Sequence, residues 1–165
     1  MPFALGATSR SRCTHVDPRL IAVIERALTI STQDAGFAAE QSRTEAEEAV
    51  LVAKGVSHSM ASHHIIGCKG AAPGFSGAVD LVPWNGSAFV WEWPRVYVLA
   101  LAVRQASLDL DTPVTWGGCW DRLLSQLGGD VSSIAGAVVA YTARERAKGV
   151  NHPLIDGPHY ELGVN

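Results

Sequence analysis

Three short segments, far apart in the chain, carry the residue types that a catalytic zinc ion needs. They are Ser62-His63-His64, Ala78-Val79-Asp80-Leu81 and the C-terminal run from Asp156 to Leu162, which contains His159. Together they offer two imidazole ligands, one carboxylate ligand and a spare acid three residues before the last histidine. Three protein ligands leave one tetrahedral position of zinc open for water, which distinguishes catalytic from structural zinc sites. Hydrolysis is therefore the leading hypothesis.

The C-terminal segment has the spacing of an acid placed beside a metal ligand. In an extended strand, His159 and Glu161 lie on one face, whereas Pro158 and Tyr160 lie on the other. Asp156, just before the strand, could accept a proton from a zinc-bound water, whose pKa is lowered to about 7. Asp-x-x-His alone is a weak signal, because a lone histidine is more often an ordinary core or surface residue.

The other two segments leave a second interpretation open. His58, His63 and His64 lie within a run rich in serine and glycine, so they could belong to a metal site or to a solvated loop. Asp80 lies inside the apolar sequence Ala78 to Val82, where a carboxylate is costly to bury without a cation or hydrogen bonds. An aspartate that caps a turn or pairs with an arginine would explain Asp80 equally well.

Capping residues and apolar spacing predict the elements that must position these side chains. Predicted helices span residues 17–30, 44–55, 94–108 and 130–149, and residues 56–77 form a loop. Predicted strands span residues 36–40, 78–82, 113–116 and 158–162, with Pro83 breaking the second. No Gly-x-Gly-x-x-Gly turn follows a strand, which argues against a doubly wound dinucleotide-binding fold. The predicted fold is α+β, with a small, largely antiparallel sheet covered by helices.

Length, charge and cysteine content narrow the class of protein. Residues 1–165 are long enough for one domain, and no linker to a separate second domain of any kind is predicted. A net charge of -3 predicts no affinity for nucleic acid and no stable membrane association. The N-terminus has no signal-peptide core, so we expect synthesis in the cytoplasm. Three cysteines without a Cys-x-x-Cys pair predict reduced thiols.

Several motifs in order resemble one known family. They are Ser62-His63-His64, Gly77-Ala78-Val79-Asp80, Trp116-Gly117-Gly118-Cys119-Trp120 and Asp156-Gly157-Pro158-His159, preceded by the arginine-bearing segment Glu40 to Thr44. This series is similar to the zinc D-alanyl-D-alanine carboxypeptidase and L-alanyl-D-glutamate endopeptidase family, in particular its phage endolysin branch. The resemblance extends over about residues 15 to 162 and implies a hedgehog/D-Ala-D-Ala peptidase-like fold.

The resemblance also implies roles for individual residues. The implied zinc ligands are His64, Asp80 and His159, with His63 as the alternative to His64. Asp156 would be the general base that activates water. Arg43 would hold a substrate carboxylate or the developing oxyanion, which suits a permanently charged, fork-shaped side chain. Ser62 would not bind zinc itself but would help to orient the residues that do.

Two features depart from the family pattern. Residues 65–76 form an insertion between the first histidine and Asp80. Cys119 stands where many relatives have aspartate, so it could bind zinc as a thiolate, although a small buried side chain is the favoured role. Trp84, Trp91 and Trp93 could line a substrate groove, but packing around the core and its rim is the favoured interpretation.

The implied function is hydrolysis of the L-alanyl-D-glutamate bond in the peptidoglycan stem peptide. The alternatives are a D-Ala-D-Ala carboxypeptidase or dipeptidase with the same motifs, and a non-catalytic zinc-binding module like the hedgehog-type relatives. Asp156 argues against the binding module, because pure metal binding would not need that acid. The expected enzyme is a monomer that reaches the wall from the host cytoplasm through a membrane lesion.

Overall fold

Five antiparallel strands form a sheet with the C-terminal strand at its centre. The computed structural model describes residues 2–57 and 59–163. The strands are β1 (Asp34–Phe37), β2 (Ala78–Trp84), β3 (Val114–Trp116), β4 (Cys119–Leu123) and β5 (His159–Leu162). Their order across the sheet is β1-β2-β5-β3-β4, and each neighbouring pair is antiparallel. The central position of β5 brings the end of the chain beside β2.

In the described part of the chain, five α-helices accompany the sheet. They are α1 (Ala7–Arg12), α2 (Pro18–Ile30), α3 (Glu45–Ala53), α4 (Trp93–Asp109) and α5 (Val131–Ala147). The caps have the predicted chemistry, since Asp17 accepts the Arg19 N–H and Thr44 forms a reciprocal capping box with Glu47. The predicted α+β fold with a small antiparallel sheet is confirmed.

Helices α2 and α4 supply much of the hydrophobic core. They pack on each other, and α4 also contacts α5, β2 and β3. Fully buried side chains from these helices and the sheet form one cluster, which includes Leu20, Ile24, Leu99, Leu81 and Trp116. Burial of such large apolar side chains contributes about 1.5–3 kcal/mol each, so the cluster fixes β2 and β5 firmly. Among the described residues, no helix has the length and apolar character to cross a membrane.

The structure corrects four parts of the sequence prediction. Helix α1 and strand β4 were not predicted, and β2 continues through Pro83 to Trp84 instead of breaking there. Pro83 is tolerated because β5 pairs only with residues 78–80 of β2, so the missing N–H of Pro83 interrupts no bond to β5. The weakly predicted strand at 36–40 lies slightly earlier, at Asp34–Phe37.

The insertion at residues 65–76 packs against the start of α2. Within it, the Gly67 N–H donates to the carbonyl of Phe75 at 2.9 Å. The Asp17 carboxylate accepts the Ala72 N–H at 2.7 Å, and Arg19 donates to the carbonyl of Gly70 at 2.9 Å. The helix cap of α2 is therefore also the anchor of the insertion.

Candidate metal centre and active site

His64, Asp80 and His159 meet at one point beside the sheet. Asp80 of β2 and His159 of β5 are direct partners in the antiparallel ladder, which places their side chains next to each other. His64 approaches from the preceding loop, where its carbonyl accepts the Arg43 N–H at 2.9 Å. Residues separated by as many as 95 positions are thus brought together by strand pairing and one loop contact.

The three potential ligand atoms form a nearly equilateral triangle. His64 Nε2 and His159 Nδ1 are 3.3 Å apart, and they lie 3.4 and 3.3 Å from Asp80 Oδ1. Tetrahedral zinc with bonds of about 2.0–2.1 Å has its ligand atoms about 3.3 Å from each other. Asp80 Oδ1 is buried and has no hydrogen-bond partner among the described residues, which a cation would supply. The donor set and its spacing therefore fit zinc.

The second nitrogen of each histidine is held by a neighbouring acceptor. His64 Nδ1 lies 2.7 Å from the carbonyl of Gln41, and His159 Nε2 lies 3.1 Å from Glu161 Oε2. Donation from these nitrogens leaves His64 Nε2 and His159 Nδ1 free to face the cluster, an arrangement typical of metal-binding histidines. Gln41 has a second contact, because its side-chain oxygen accepts the Asp80 N–H at 2.5 Å.

The electrostatics of the cluster favour added positive charge. Burial would raise the pKa of Asp80, but the adjacent imidazoles of His159 and His64 hold that pKa far below its usual range. Burial would lower the pKa of His159, but the carboxylates of Asp80 and Glu161 raise it to about 9. A proton or a metal cation on the cluster would be stabilised by these two carboxylates.

Asp156 is held next to the cluster by the Trp-Gly-Gly motif. Its N–H donates to the carbonyl of Gly117 at 2.8 Å, and the Gly117 N–H donates to the carbonyl of His159 at 2.9 Å. The indole of Trp116 donates to the carbonyl of Gly157 at 2.7 Å. A Cβ at residue 117 would lie 2.2 Å from the Asp156 carbonyl oxygen, so the close approach requires glycine.

A cavity of about 400 Å³ opens over the cluster. Asp156 and Arg43 line it together with the three potential ligands. Burial and then the negative charge of Asp80 raise the pKa of the Asp156 carboxyl. The Arg43 guanidinium donates to the buried carboxylate of Glu48 at 2.6 Å. The cavity therefore combines a triangle of potential metal ligands, an acid of raised pKa and a cation, which is a set suited to hydrolysis.

Comparisons with known proteins identify the family. The family model described as phage L-alanyl-D-glutamate peptidase matches residues 1–129. The chain belongs to this family. No curated protein sequence matches the chain. Among solved structures, it is similar to the L-Ala D-Glu endopeptidase ChiX of Serratia marcescens, with 26% identity, a TM-score of 0.64 and coverage of 95% of this chain and 87% of that one.

Family membership makes the protein a peptidase and a peptidoglycan hydrolase, as the sequence motifs predicted. The matched residues 1–129 contain Arg43, His64 and Asp80. Asp156 and His159 lie beyond them, within a chain of which the structural similarity covers 95%. The fold therefore brings the motif residues before and after residue 129 into one cavity.

The structure distinguishes the two adjacent histidines of this peptidase. His64 is in the cluster, whereas the nearest acid to His63 is Glu161, with 3.3 Å between His63 Nδ1 and Glu161 Oε2. His58 lies outside the described residues. Ser62 accepts the His64 N–H at 3.3 Å, so it contacts the backbone of the potential ligand. The geometry favours His64 over His63 as the first ligand.

Cys119 is not part of the triangle of potential ligands and does not line the cavity. Its thiol is buried and contacts Asp121 at 3.3 Å. Burial and the Asp121 carboxylate raise the pKa of the thiol to about 11, which disfavours the thiolate form that binds zinc. The packing role predicted for Cys119 agrees with this position.

The cavity is bordered by a tryptophan other than the three that were considered for a substrate groove. Trp120 lines the cavity, and its ring centroid lies 5.0 Å from that of His159. Trp84 packs on Phe89, Trp93 packs on Tyr97, and Trp91 is 60% exposed; none of these three lines the cavity.

Sequence reasoning did not identify three residues that support the site: Gln41, Glu161 and Trp120. The position of Trp120 directly after Trp116-Gly117-Gly118 was an available signal, since that motif borders the site. Glu161 was recognised only as sharing a strand face with His159. Gln41 had no signal, because its contacts join segments that are distant in sequence.

Proposed function

We propose that this peptidase is a zinc-dependent endolysin that cleaves the L-alanyl-D-glutamate bond of the stem peptide. The observation that carries the proposal is the triangle of ligand atoms, 3.3–3.4 Å on each side, inside a cavity with an acid and an arginine. His64, Asp80 and His159 would hold zinc. When bound, zinc supplies a Lewis acid that polarises a carbonyl and lowers the pKa of water.

Asp156 serves as the general base in this proposal. Its main chain is fixed by Gly117, and the residue lines the cavity. It accepts the proton of the attacking water and then passes that proton to the leaving amine. A raised pKa suits both steps, because a general base works best when its pKa approaches the working pH.

Arg43 holds negative charge on the substrate. Among the residues that the structure describes, its guanidinium has one acceptor, Glu48, and its side chain is 21% exposed in the cavity wall. The remaining N–H groups can donate to a substrate carboxylate or to the oxyanion that develops during attack. Ser62 supports the backbone of His64 from the same loop.

The biological setting follows from the same chemistry. The partner is the peptidoglycan stem peptide, and the net charge of -3 provides no general attraction for nucleic acid. We infer that the enzyme works as a monomer and acts on the wall after a membrane lesion releases it.

Digestion of purified peptidoglycan, followed by mass spectrometry of the fragments, tests the proposal. Zinc-loaded enzyme should generate new amino termini at D-glutamate, whereas release of D-alanine would instead indicate carboxypeptidase action. The Asp156→Ala variant should retain zinc and lose about 10²–10⁴-fold in rate, the usual contribution of a general base. Absence of any new terminus with zinc present would reject the proposal, and an active Asp156→Ala variant would reject the role of Asp156.

A further inference from the structure

Glu48 is a buried carboxylate with two partners at the active site. Its side chain is 0% exposed on α3. One oxygen accepts the Arg43 Nη1–H at 2.6 Å, and the other accepts the hydroxyl of Ser57. Burial would raise the pKa of Glu48, but these bonds from Ser57 and Arg43 hold it below the usual range. An ionised carboxylate is costly to bury without such partners, so the three side chains form one unit.

The two partners of Glu48 both line the cavity over the metal-binding triangle. The backbone of Arg43 is fixed by the ligand loop, since its N–H donates to the His64 carbonyl and its carbonyl accepts the Ile66 N–H, both at 2.9 Å. The guanidinium is several bonds away from that backbone. Among the described residues, Glu48 is the one acceptor of a hydrogen bond from it.

We propose that Glu48 is a positioning residue for catalysis, which fixes the direction in which Arg43 presents its free N–H groups to substrate. This inference rests on the proposed function, in which Arg43 binds negative charge on the substrate. Glu48 does not line the cavity itself. It acts through Arg43, and Ser57 secures the carboxylate from the other side.

A double-mutant cycle tests whether Glu48 acts through Arg43. Glu48→Gln keeps the shape of the side chain but removes the charge from the bond to Arg43, so kcat/KM should fall about 10-fold or more, in line with the loss of a charge-assisted hydrogen bond. In an Arg43→Gln background, the same substitution should change kcat/KM by less than about twofold, because the group it positions is gone. The assay uses zinc-loaded protein and a soluble stem peptide.

Two further variants make the test specific. Glu45→Gln removes the same charge from an exposed position of the same helix and should leave kcat/KM unchanged. Ser57→Ala should lower kcat/KM to a smaller extent, and its effect should also disappear in the Arg43→Gln background. If Glu48→Gln does not fold, Ser57→Ala takes its place in the double-mutant cycle with Arg43→Gln. Zinc content and melting temperature are measured for every variant, and we expect zinc content to stay at the wild-type level.

The outcomes separate this inference from the proposed function. Equal losses of kcat/KM from Glu48→Gln in both backgrounds would show that Glu48 does not act through Arg43 and would overturn the inference, even with an active enzyme. Loss of zinc from Glu48→Gln would overturn it as well. A wild-type protein that cleaves no stem peptide would instead reject the proposed function.

Discussion

The two sides of the active-site cavity are built in different ways. On the sheet side, Asp80 and His159 project from paired strands, so the main-chain ladder fixes where their side chains begin. On the opposite side, Arg43 lies in the segment before α3, and its charged end is held by the side chain of Glu48. Main-chain pairing places the side chains of the sheet side, whereas a buried ion pair orients the guanidinium of the arginine side. We therefore expect the two sides to respond differently to substitution.

The segment 41–43 joins these two sides. The Gln41 carbonyl accepts a hydrogen bond from His64, and the Gln41 side chain accepts the Asp80 N–H. Two residues later, the Arg43 N–H donates to the carbonyl of His64. The position of the arginine is thus tied to the metal-binding triangle through the main chain, although the orientation of its guanidinium is not.

The largest effect is expected from removing a ligand on the metal side. His64→Ala should lower zinc affinity by more than the 10–100-fold typical of supporting residues, because it deletes one of the three proposed coordinating atoms. His63→Ala is the matched control, since His63 contacts Glu161 and not the triangle. Metal analysis of both purified proteins after dialysis against a weak chelator provides the measurement.

Full zinc occupancy in His64→Ala, together with loss of zinc from His63→Ala, would exchange the roles of the two histidines. Retention of zinc by both variants would mean that the loop supplies no ligand. Either result would contradict the view that the metal depends on the triangle of His64, Asp80 and His159.

The arginine side should lose activity without losing metal. Arg43→Lys keeps the positive charge, but lysine lacks the planar fork that can bind Glu48 and substrate together. We expect kcat/KM to fall by about 10–100-fold, the equivalent of one charge-assisted hydrogen bond. Steady-state kinetics with zinc-loaded protein, paired with metal analysis, measure both quantities. A parallel loss of zinc would show that the two sides are not separable.

Local signals predicted one part of this architecture and missed another. The caps at Asp17 and Thr44 were predictable because a cap depends on neighbouring residues. Strand β4 was not, because the sequence from Cys119 to Leu123 has little apolar alternation and its pairing depends on the turn at Gly117-Gly118. The short helix α1 lies at the sheet edge, where Ser9 accepts the Phe37 N–H across 28 residues.

The same difference between local and long-range sequence signals applies to the site. Motif order suggested His64, Asp80, His159, Asp156 and Arg43, and the structure places all of them around one cavity. Their roles in metal binding and catalysis stay predictions. Glu48 and Gln41 could not be recognised in advance, because a buried glutamate or glutamine acquires its role only from partners that the fold supplies.

A smaller effect on the metal is expected from the acceptor behind His159. Glu161→Gln retains an oxygen but removes the charge that strengthens the bond from His159 Nε2. Supporting residues of this kind usually change metal affinity by about 10–100-fold, and the retained oxygen should place this variant near the lower limit. Competition with a chromogenic chelator measures the affinity. Unchanged affinity would remove Glu161 from the support of the metal site.

The smallest effect tests whether main-chain geometry alone determines the sheet side. Gly117→Ala removes no functional group, but its Cβ would lie 2.2 Å from the Asp156 carbonyl oxygen. We expect a loss of about 1–3 kcal/mol in the free energy of unfolding, as for other overpacked sites, together with reduced activity because Asp156 must shift. Chemical denaturation and peptide hydrolysis measure the two effects.

Gly136→Ala in α5 is the control for Gly117→Ala. A Cβ at residue 136 meets nothing within 4 Å, and alanine favours the helix by about 0.5–1 kcal/mol over glycine. This variant should therefore be more stable and equally active. If Gly117→Ala were as stable and active as Gly136→Ala, the position of Asp156 would not depend on the close approach of Gly117. The sheet side would then be no more rigidly determined by its main chain than the arginine side.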